Sequence, residues 1–430
     1  MFAIFFGIGL IMFLAYKGWS TIWVAPIASA IVLLLSGIEL DQFVHLYRTT
    51  YMQGFVGFTL QWFPVFMLGA IFGKLMDSTK MAKAVAVKIS QILGPKHAIL
   101  AVIIAGSVLT YGGVSMFVAV FALYPLALVL FREANIPRRL IPAAITVGVF
   151  AYTMVALPGS PQIQNLIPGN FFGTPPTAAP ILGIICGAIM VVGGYLYLVW
   201  REKQVKLAGE GFTEPPQAVP EDPNEVLPNV LVSLSPLLVV IITLNVFGWD
   251  IIVSLITGIL LILAVNFQHY KTFIKTINEG AQGSMLPIVN VSAIVGFGTI
   301  VQFVPGFTTL VDLLVGIPGT PLLSLAIAVT TVAGATGSAS GGLGIALTAL
   351  ADQYIYIAAR DGISLEAMHR IAAMASGVMD TVPHNGAILT LLAVCGMTHK
   401  ESYKDIFVAI IIIPLIATAV GIFLGSLGVV

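Results

Sequence analysis

The stretch Leu140–Trp200 contains no Asp, Glu, Lys or Arg. A run this long without charge cannot be wetted as a soluble surface. It holds more than one bilayer-spanning helix, each of which needs about 20 apolar residues. The pattern extends along the chain. Of 430 residues, 58% are hydrophobic and 9% charged, and mean hydropathy is +1.02, whereas a soluble domain carries about 25% charged residues. The chain reads as an all-α polytopic membrane protein.

Charge-free stretches bounded by charged or turn-rich segments mark the spans. They are Phe2–Tyr16, Thr21–Ile38, Phe55–Gly73, Leu140–Ala156 and Ala178–Trp200, then Pro228–Phe247, Ile251–Phe267, Met285–Phe303, Ile371–Met397 (broken) and Ile406–Val430. Two long Gly-rich runs, His97–Phe131 and Leu313–Tyr356, read as helical hairpins that leave the membrane on the side they entered. Assigning loops alternately puts every Lys and Arg on one side except Arg48, Arg360 and Arg370. Positive residues stay in the cytoplasm, so both termini are expected outside. The Pro- and Glu-rich segment 201–227 is then a loosely packed cytoplasmic linker. The apolar N-terminus lacks a positive n-region and reads as a first helix, not a removed signal peptide. The net charge is +0 and no basic domain stands out, so nucleic acid is not an expected partner. Cys186 and Cys395 lie in apolar runs and read as small buried hydrophobes.

The linker divides two similar halves. GSVLTYGGVSMFVAVFALY from Gly106 matches GATGSASGGLGIALTALADQY from Gly334, and TMVALPGSPQ from Thr153 matches VMDTVPHNGA from Val378. Each half holds five membrane crossings, one of them a Pro-broken helix, plus one re-entrant hairpin. Five is odd, so the halves are two inverted repeats, the pattern of secondary transporters with a site near the midplane. Repeat 1 covers 1–200, with helices in 1–76, a hairpin at 97–131, a broken helix at 138–166 and a helix at 178–200. Repeat 2 covers 228–430, with helices in 228–303, a hairpin at 313–358, a broken helix at 367–397 and a helix at 405–430.

Four polar interruptions lie at hydrophobic depth: the hairpin tips Ser107–Ser115 and Ala335–Gly342, and the breaks Leu157–Asn165 and Asp380–Gly386. Irregular backbone at this depth is tolerated only inside protein or beside a water-filled cavity. Free N–H groups at half-helix starts suit an anion; free carbonyls and hydroxyls suit a small cation. The alternative for each interruption alone is a kink or close packing. The motifs Gly69/Gly73 and Gly421/Gly425 are assigned to packing. Asp380 is an intramembrane acid and so a functional candidate, or else an N-cap for the half-helix near Thr381. His384 suits the coupled proton or the substrate carboxylate, or is a satisfied polar residue in the break. Asp352 reads as solvated, and Lys74–Lys96 as a membrane-surface connector. No HExxH, GxSxG, GK[ST] phosphate loop or Cys/His metal spacing occurs. An enzyme, a bound metal and an organic cofactor are therefore not expected.

At GKLMDSTKMAKAVA (Gly73–Ala86), TYGGVSMFVAVFALYPLA (Thr110–Ala127), IPRRLIPAAITVGVFAYTMVALPGSPQIQN (Ile136–Asn165), ATGSASGGLGIALTAL (Ala335–Leu350) and MDTVPHNGAILTLLAVCGMTHKESYKDIF (Met379–Phe407), the chain resembles the gluconate permease family of proton-coupled organic-anion symporters, within the wider ion-transporter superfamily. PHNGAILTLL looks closer to its hydroxybutyrate-permease-like branch. The resemblance implies a homodimer in a bacterial-type inner membrane. It implies a static scaffold and a mobile transport domain of hairpins and broken helices that moves as an elevator. It places Ser107, Thr110, Gly112, Gly113, Thr336, Ser338 and Ser340 of the tips at the site. From the breaks it adds Ser160, Gln162, Asn165, Asp380, Thr381, His384 and Asn385, with Asp380 and His384 as the ion-coupling pair.

The leading expectation is symport of a small hydroxy-monocarboxylate, gluconate-like or 3-hydroxybutyrate-like, with H⁺. The alternatives are a Na⁺-coupled di- or tricarboxylate symporter, with the hydroxyls of Thr336–Ser340 holding Na⁺, and a passive anion channel. A pore favours rings of charge or a repeated filter, against which two unlike inverted halves argue.

Overall fold

The computed structural model describes residues 2–17, 19–215, 226–309, 317, 319–383 and 385–430. Every regular element among the described residues is a helix. Among the described residues six helices are long and apolar enough to cross a membrane: Gln42–Ser78, Arg138–Val155, Pro180–Leu207, Phe267–Phe303, Ala339–Asp361 and His399–Ser426. The pair Met81–Leu93 and Pro95–Tyr111, bent by 104°, makes a seventh if taken as one span. The crossings expected at the start of each half are shorter. Phe2–Tyr16, Thr21–Leu35 and Ile251–Val265 have 15 residues each, and Val230–Asn245 has 16. That is about 22–24 Å of helix against a hydrocarbon core of about 30 Å.

Polar residues sit where the apolar runs begin, because the first N–H groups of a helix have no partner within it. Ser20, Asn229, Asp250 and Ser364 accept from the N–H groups of Ile22, Leu231, Ile252 and Glu366. Thr398 and Glu401 form a capping box.

The elements recur in one order on both sides of the linker. Two short helices are followed by a long one, Met52–Ser78 or Tyr270–Phe303. In the first half the helix Met81–Leu93 comes next, with no counterpart among the described residues of the second; each half then has a hairpin, Ala98–Tyr111 with Met116–Glu133 or Pro321–Thr336 with Ala339–Asp361. Next come a broken helix and a final helix. The two long helices share the most extensive helix–helix interface. They run antiparallel: Thr299 donates to the Thr50 carbonyl, the Thr59 and Ser292 hydroxyls pair at 2.8 Å, and Lys74 meets Glu279 at 3.1 Å. Thr21–Leu35 packs on the long helix of the second half, and Ile251–Val265 on that of the first. The half-helix Ile163–Phe172 lies against Ala339–Asp361 and Leu365–Val378, and Gly386–Val394 lies against Met116–Glu133. Pro180–Leu207 packs on Ile413–Ser426. The halves are therefore interlocked, not merely adjacent.

The structure changes two expectations and qualifies a third. Arg370, counted above as a loop residue, lies within the helix Leu365–Val378 and is fully buried. Loop counting sends every charge to water, and here the protein interior satisfies one instead. The linker is not loose throughout. Glu210 takes two hydrogen bonds from Arg139 and Glu214 two from Arg132. Phe212 donates its N–H to Asn135 and lies under the Arg132 guanidinium. The bond from Arg132 holds the exposed Glu214 carboxyl below its usual range. Residues 216–225 lie outside the described residues. Of the two small-residue motifs, Gly421 and Gly425 face Met374 and Leu322, but Gly69 has nothing within 4 Å. Cys186 and Cys395 are buried and unpaired, and Asp352 is exposed.

Candidate functional site

Each half builds the same local device, a hairpin tip tied by side chains to the break of its neighbouring helix. In the first half the arms Ala98–Tyr111 and Met116–Glu133 turn through Gly112 and Gly113. Gly113 has φ +98°, a left-handed conformation that favours glycine. A Cβ on Gly112 would lie 2.6 Å from Leu237, so this tip sits hard against the helix Val230–Asn245. The first break separates Tyr152–Val155 from Ile163–Phe172. Gln162 stands at the N-cap position of the half-helix and donates Nε2 to the Thr110 carbonyl at 2.7 Å. Tyr111 donates to the Pro158 carbonyl at 2.8 Å. Ser160 donates to the Thr153 carbonyl, and Ser107 donates to Ile103 while accepting from Tyr152. Asn245 of the neighbouring helix donates to the Gly159 carbonyl at 2.9 Å.

In the second half Pro321–Thr336 ends at Gly337, which has φ +60°. Ser338 caps Ala339–Asp361 by accepting from Gly341 N–H, and its hydroxyl lies 3.5 Å from that of Ser340. The second break is locked to this turn. Asp380 Oδ1 accepts from Ala339 N–H at 2.7 Å and from Asn385 Nδ2 at 3.0 Å. Asn385 Nδ2 also donates to the Gly337 carbonyl at 2.8 Å, while Asn385 Oδ1 caps Gly386–Val394 through the N–H groups of Ala387 and Ile388. The N-cap of the half-helix is therefore Asn385. Asp380 caps the hairpin arm instead, at the positive end of its dipole. Tyr403 donates to the Thr381 carbonyl, and the His399 ring contacts the Pro383 carbonyl at 2.8 Å.

The expected site residues thus fall into two clusters. Ser107, Thr110, Gly112, Gly113, Ser160, Gln162 and Asn165 surround the first tip and break. Ser338, Ser340, Asp380, Thr381 and Asn385 surround the second. Thr336 ends the first arm of its hairpin, and His384 lies outside the described residues. Asn165 of the first cluster accepts through Oδ1 at 2.7 Å from Arg370, which lies on the helix Leu365–Val378 that precedes the second break. Its Nδ2 donates to the carbonyls of Ser160 and Pro176, so its polar atoms are engaged within the protein. The hydroxyls of Thr110 and Thr381, one in each cluster, are buried without a hydrogen-bond partner. A buried polar atom left unpaired costs free energy; the hydroxyls of Ser254 and Thr418, outside both clusters, are also unpartnered, so it is their place at a tip and a break that makes Thr110 and Thr381 candidate contacts for a ligand.

Sequence reasoning missed Tyr111, Asn245, Arg370, His399 and Tyr403. Asn245, a lone amide at the end of an apolar helix, and Tyr111, inside the tip itself, carried the only local signals.

Comparison with known proteins fits this architecture. The GntP family permease model matches residues 1–265. The uncharacterised transporter YxjC of Bacillus subtilis (strain 168) is 40% identical, over 97% of this chain and 96% of that protein. Two solved structures share the fold at low identity. The Alcanivorax borkumensis YdaH transporter, described as having an unusual topology, superposes with a TM-score of 0.57 at 15% identity, covering 90% of this chain and 89% of that one. Neisseria gonorrhoeae MtrF, described within a class of antimetabolite efflux pumps, gives 0.50 at 16% identity, covering 91% and 85%. The profile match over more than half of the chain and the near full-length relative establish the assignment: this chain belongs to the GntP permease family.

Proposed function

We propose that this permease is a secondary transporter that carries a small hydroxy-monocarboxylate with H⁺ across the plasma membrane, as a homodimer working by an elevator movement. The matched order of elements and the antiparallel pairing of the two long helices support inverted repeats. The helices in 1–76 and 228–303 are the scaffold in this reading. The hairpins, broken helices and final helices of both halves move. The two tips approach each other near the midplane, with substrate between the two clusters.

One observation carries the choice of H⁺ over Na⁺. A Na⁺ site in a break is built from free carbonyls. Here the carbonyls of Thr110, Pro158, Gly159, Ser160, Gly337 and Thr381 each already accept from a protein donor. What the clusters offer instead is a buried carboxyl, Asp380, which can take up and release a proton.

Uptake of labelled D-gluconate and 3-hydroxybutyrate into proteoliposomes tests this. An inward proton gradient should drive accumulation, a protonophore should abolish it, and preloaded substrate should give counterflow. Accumulation that follows a Na⁺ gradient and ignores pH would overturn the proton assignment. Uptake without counterflow would indicate a channel.

The same reading keeps both termini outside and 201–227 in the cytoplasm. Val226 is 86% exposed, and the native cysteines are buried. Val226→Cys should therefore stay unlabelled by an impermeant maleimide in intact cells and become labelled after permeabilisation. Labelling in intact cells would reverse the topology.

A further inference from the structure

We propose that Arg370 is a positioning residue that gives the first cluster its preference for an anion, acting through Asn165. The inference rests on the carboxylate reading above and adds which end of the substrate goes where. Arg370 is fully buried. Its Nη1 donates to Asn165 Oδ1 at 2.7 Å, its Nε to the Ala178 carbonyl at 3.1 Å, and its Nη2 to the carbonyls of Ala178 and Pro176 at 2.7 and 3.2 Å. Among the described residues no carboxylate forms an ion pair with it. Glu366, one turn earlier on the same helix, is half-buried and is engaged by the Ala179 N–H at 2.9 Å. Carbonyl dipoles satisfy the N–H groups of a guanidinium but leave its unit charge in place; Glu366 acts on that charge only from beyond ion-pair distance, and burying it is costly.

That charge stands directly behind the first break. Asn165 joins the guanidinium to the Ser160 carbonyl, and it lies in the first turn of Ile163–Phe172, whose N-terminus adds the positive end of a helix dipole. The second cluster has the opposite balance, because Asp380 sits on the N-terminus of Ala339–Asp361. The two clusters share one plan, a tip hydrogen-bonded to a break, and differ in the ionisable group beside each. The substrate carboxylate faces the first break, and its hydroxyl-bearing end faces Ser338 and Ser340. In a low-dielectric site a preorganised charge of this kind acts on bound anions without a direct contact.

The test is KM and Vmax for D-gluconate and 3-hydroxybutyrate uptake by proteoliposomes of wild type, Arg370→Lys, Arg370→Gln and Asn165→Asp. Lysine carries the charge only while protonated, which burial opposes, and loses the planar fork, so its KM is read at the low end of the pH range. Glutamine removes the charge. Asn165→Asp sets a carboxylate against the arginine but also gives up the Nδ2 bonds to the Ser160 and Pro176 carbonyls, so its folded yield and thermal midpoint are measured beside KM. KM should rise about tenfold, the equivalent of ~1.4 kcal/mol, in the glutamine and aspartate variants, and stay within about threefold of wild type in the lysine variant. Inhibition by the uncharged analogues sorbitol and 1,3-butanediol should not change. If all three variants lose only Vmax or folded yield, with KM unmoved, Arg370 is a structural clamp and the inference fails. A wild type that takes up neither probe brings down the carboxylate reading itself, and this inference with it.

Discussion

Asp380→Asn is expected to reduce proton-driven accumulation more than about tenfold while leaving substrate exchange largely intact. The side chain is buried, and its Oδ1 accepts from Ala339 N–H and Asn385 Nδ2. Asparagine is isosteric and can present a carbonyl oxygen to both donors, so the tip and the break stay joined. What it loses is the ability to take up and release a proton. Exchange moves no net proton and should survive; accumulation against a gradient should not. Asp380→Ala is a different experiment, because it strands both donors and should impair folding as well as coupling. Wild-type accumulation and pH dependence in the asparagine variant would remove Asp380 from the coupling step and return attention to Na⁺.

The second large effect is steric. The arms of the second hairpin cross so closely at Gly342 that a Cβ there would lie 2.2 Å from the Cα and 2.4 Å from the backbone N of Ala333. Backbone cannot swing aside as a side chain can, so Gly342→Val must open the hairpin. Overpacking typically costs about 1–3 kcal/mol, and a clash with backbone belongs at the upper end of that range. The expected result is a fall of several degrees in the thermal midpoint, or loss of monodisperse protein, together with loss of transport. Gly69→Val is the control, since nothing lies within 4 Å of its Cβ. Equal stability of the two variants would show that the arms do not cross as described.

Much of the architecture was legible because the bilayer imposes a simple code. Apolar runs between charges recovered Phe2–Tyr16 to the residue and placed the other helices to within a few turns. Both hairpin turns and both breaks fall at the Gly- and Pro-rich interruptions, since in hydrocarbon such residues are kept only where the backbone departs from a helix. The same code fails where the protein itself plays the part of water. Arg370 is bonded to carbonyls 192 and 194 residues away, and nothing next to it in the chain announces them. The linker misled for the opposite reason. Its Pro and Glu content reads as loose, but Glu210 and Glu214 meet Arg139 and Arg132, 71 and 82 residues distant. Asn385 is expected from the sequence as a ligand contact, yet its four side-chain hydrogen bonds make it the keystone of that turn. Which residues hold a site and which touch its contents is decided by hydrogen-bond partners, and single-sequence periodicity does not report those.

The interlocking of the halves has a consequence for how the chain is made. Asn165 completes its bonding with Arg370, 205 residues later in the chain. At roughly 5–20 residues per second of synthesis, the first break is in the membrane for about 10–40 s before its partner exists. Through that interval Ile163–Phe172 also lacks the surface of Ala339–Asp361 and Leu365–Val378 that it will cover. The first half cannot finish folding as it leaves the ribosome. Its polar turn must wait, wetted at the membrane surface or sheltered by the insertion machinery, until the second half arrives to close it.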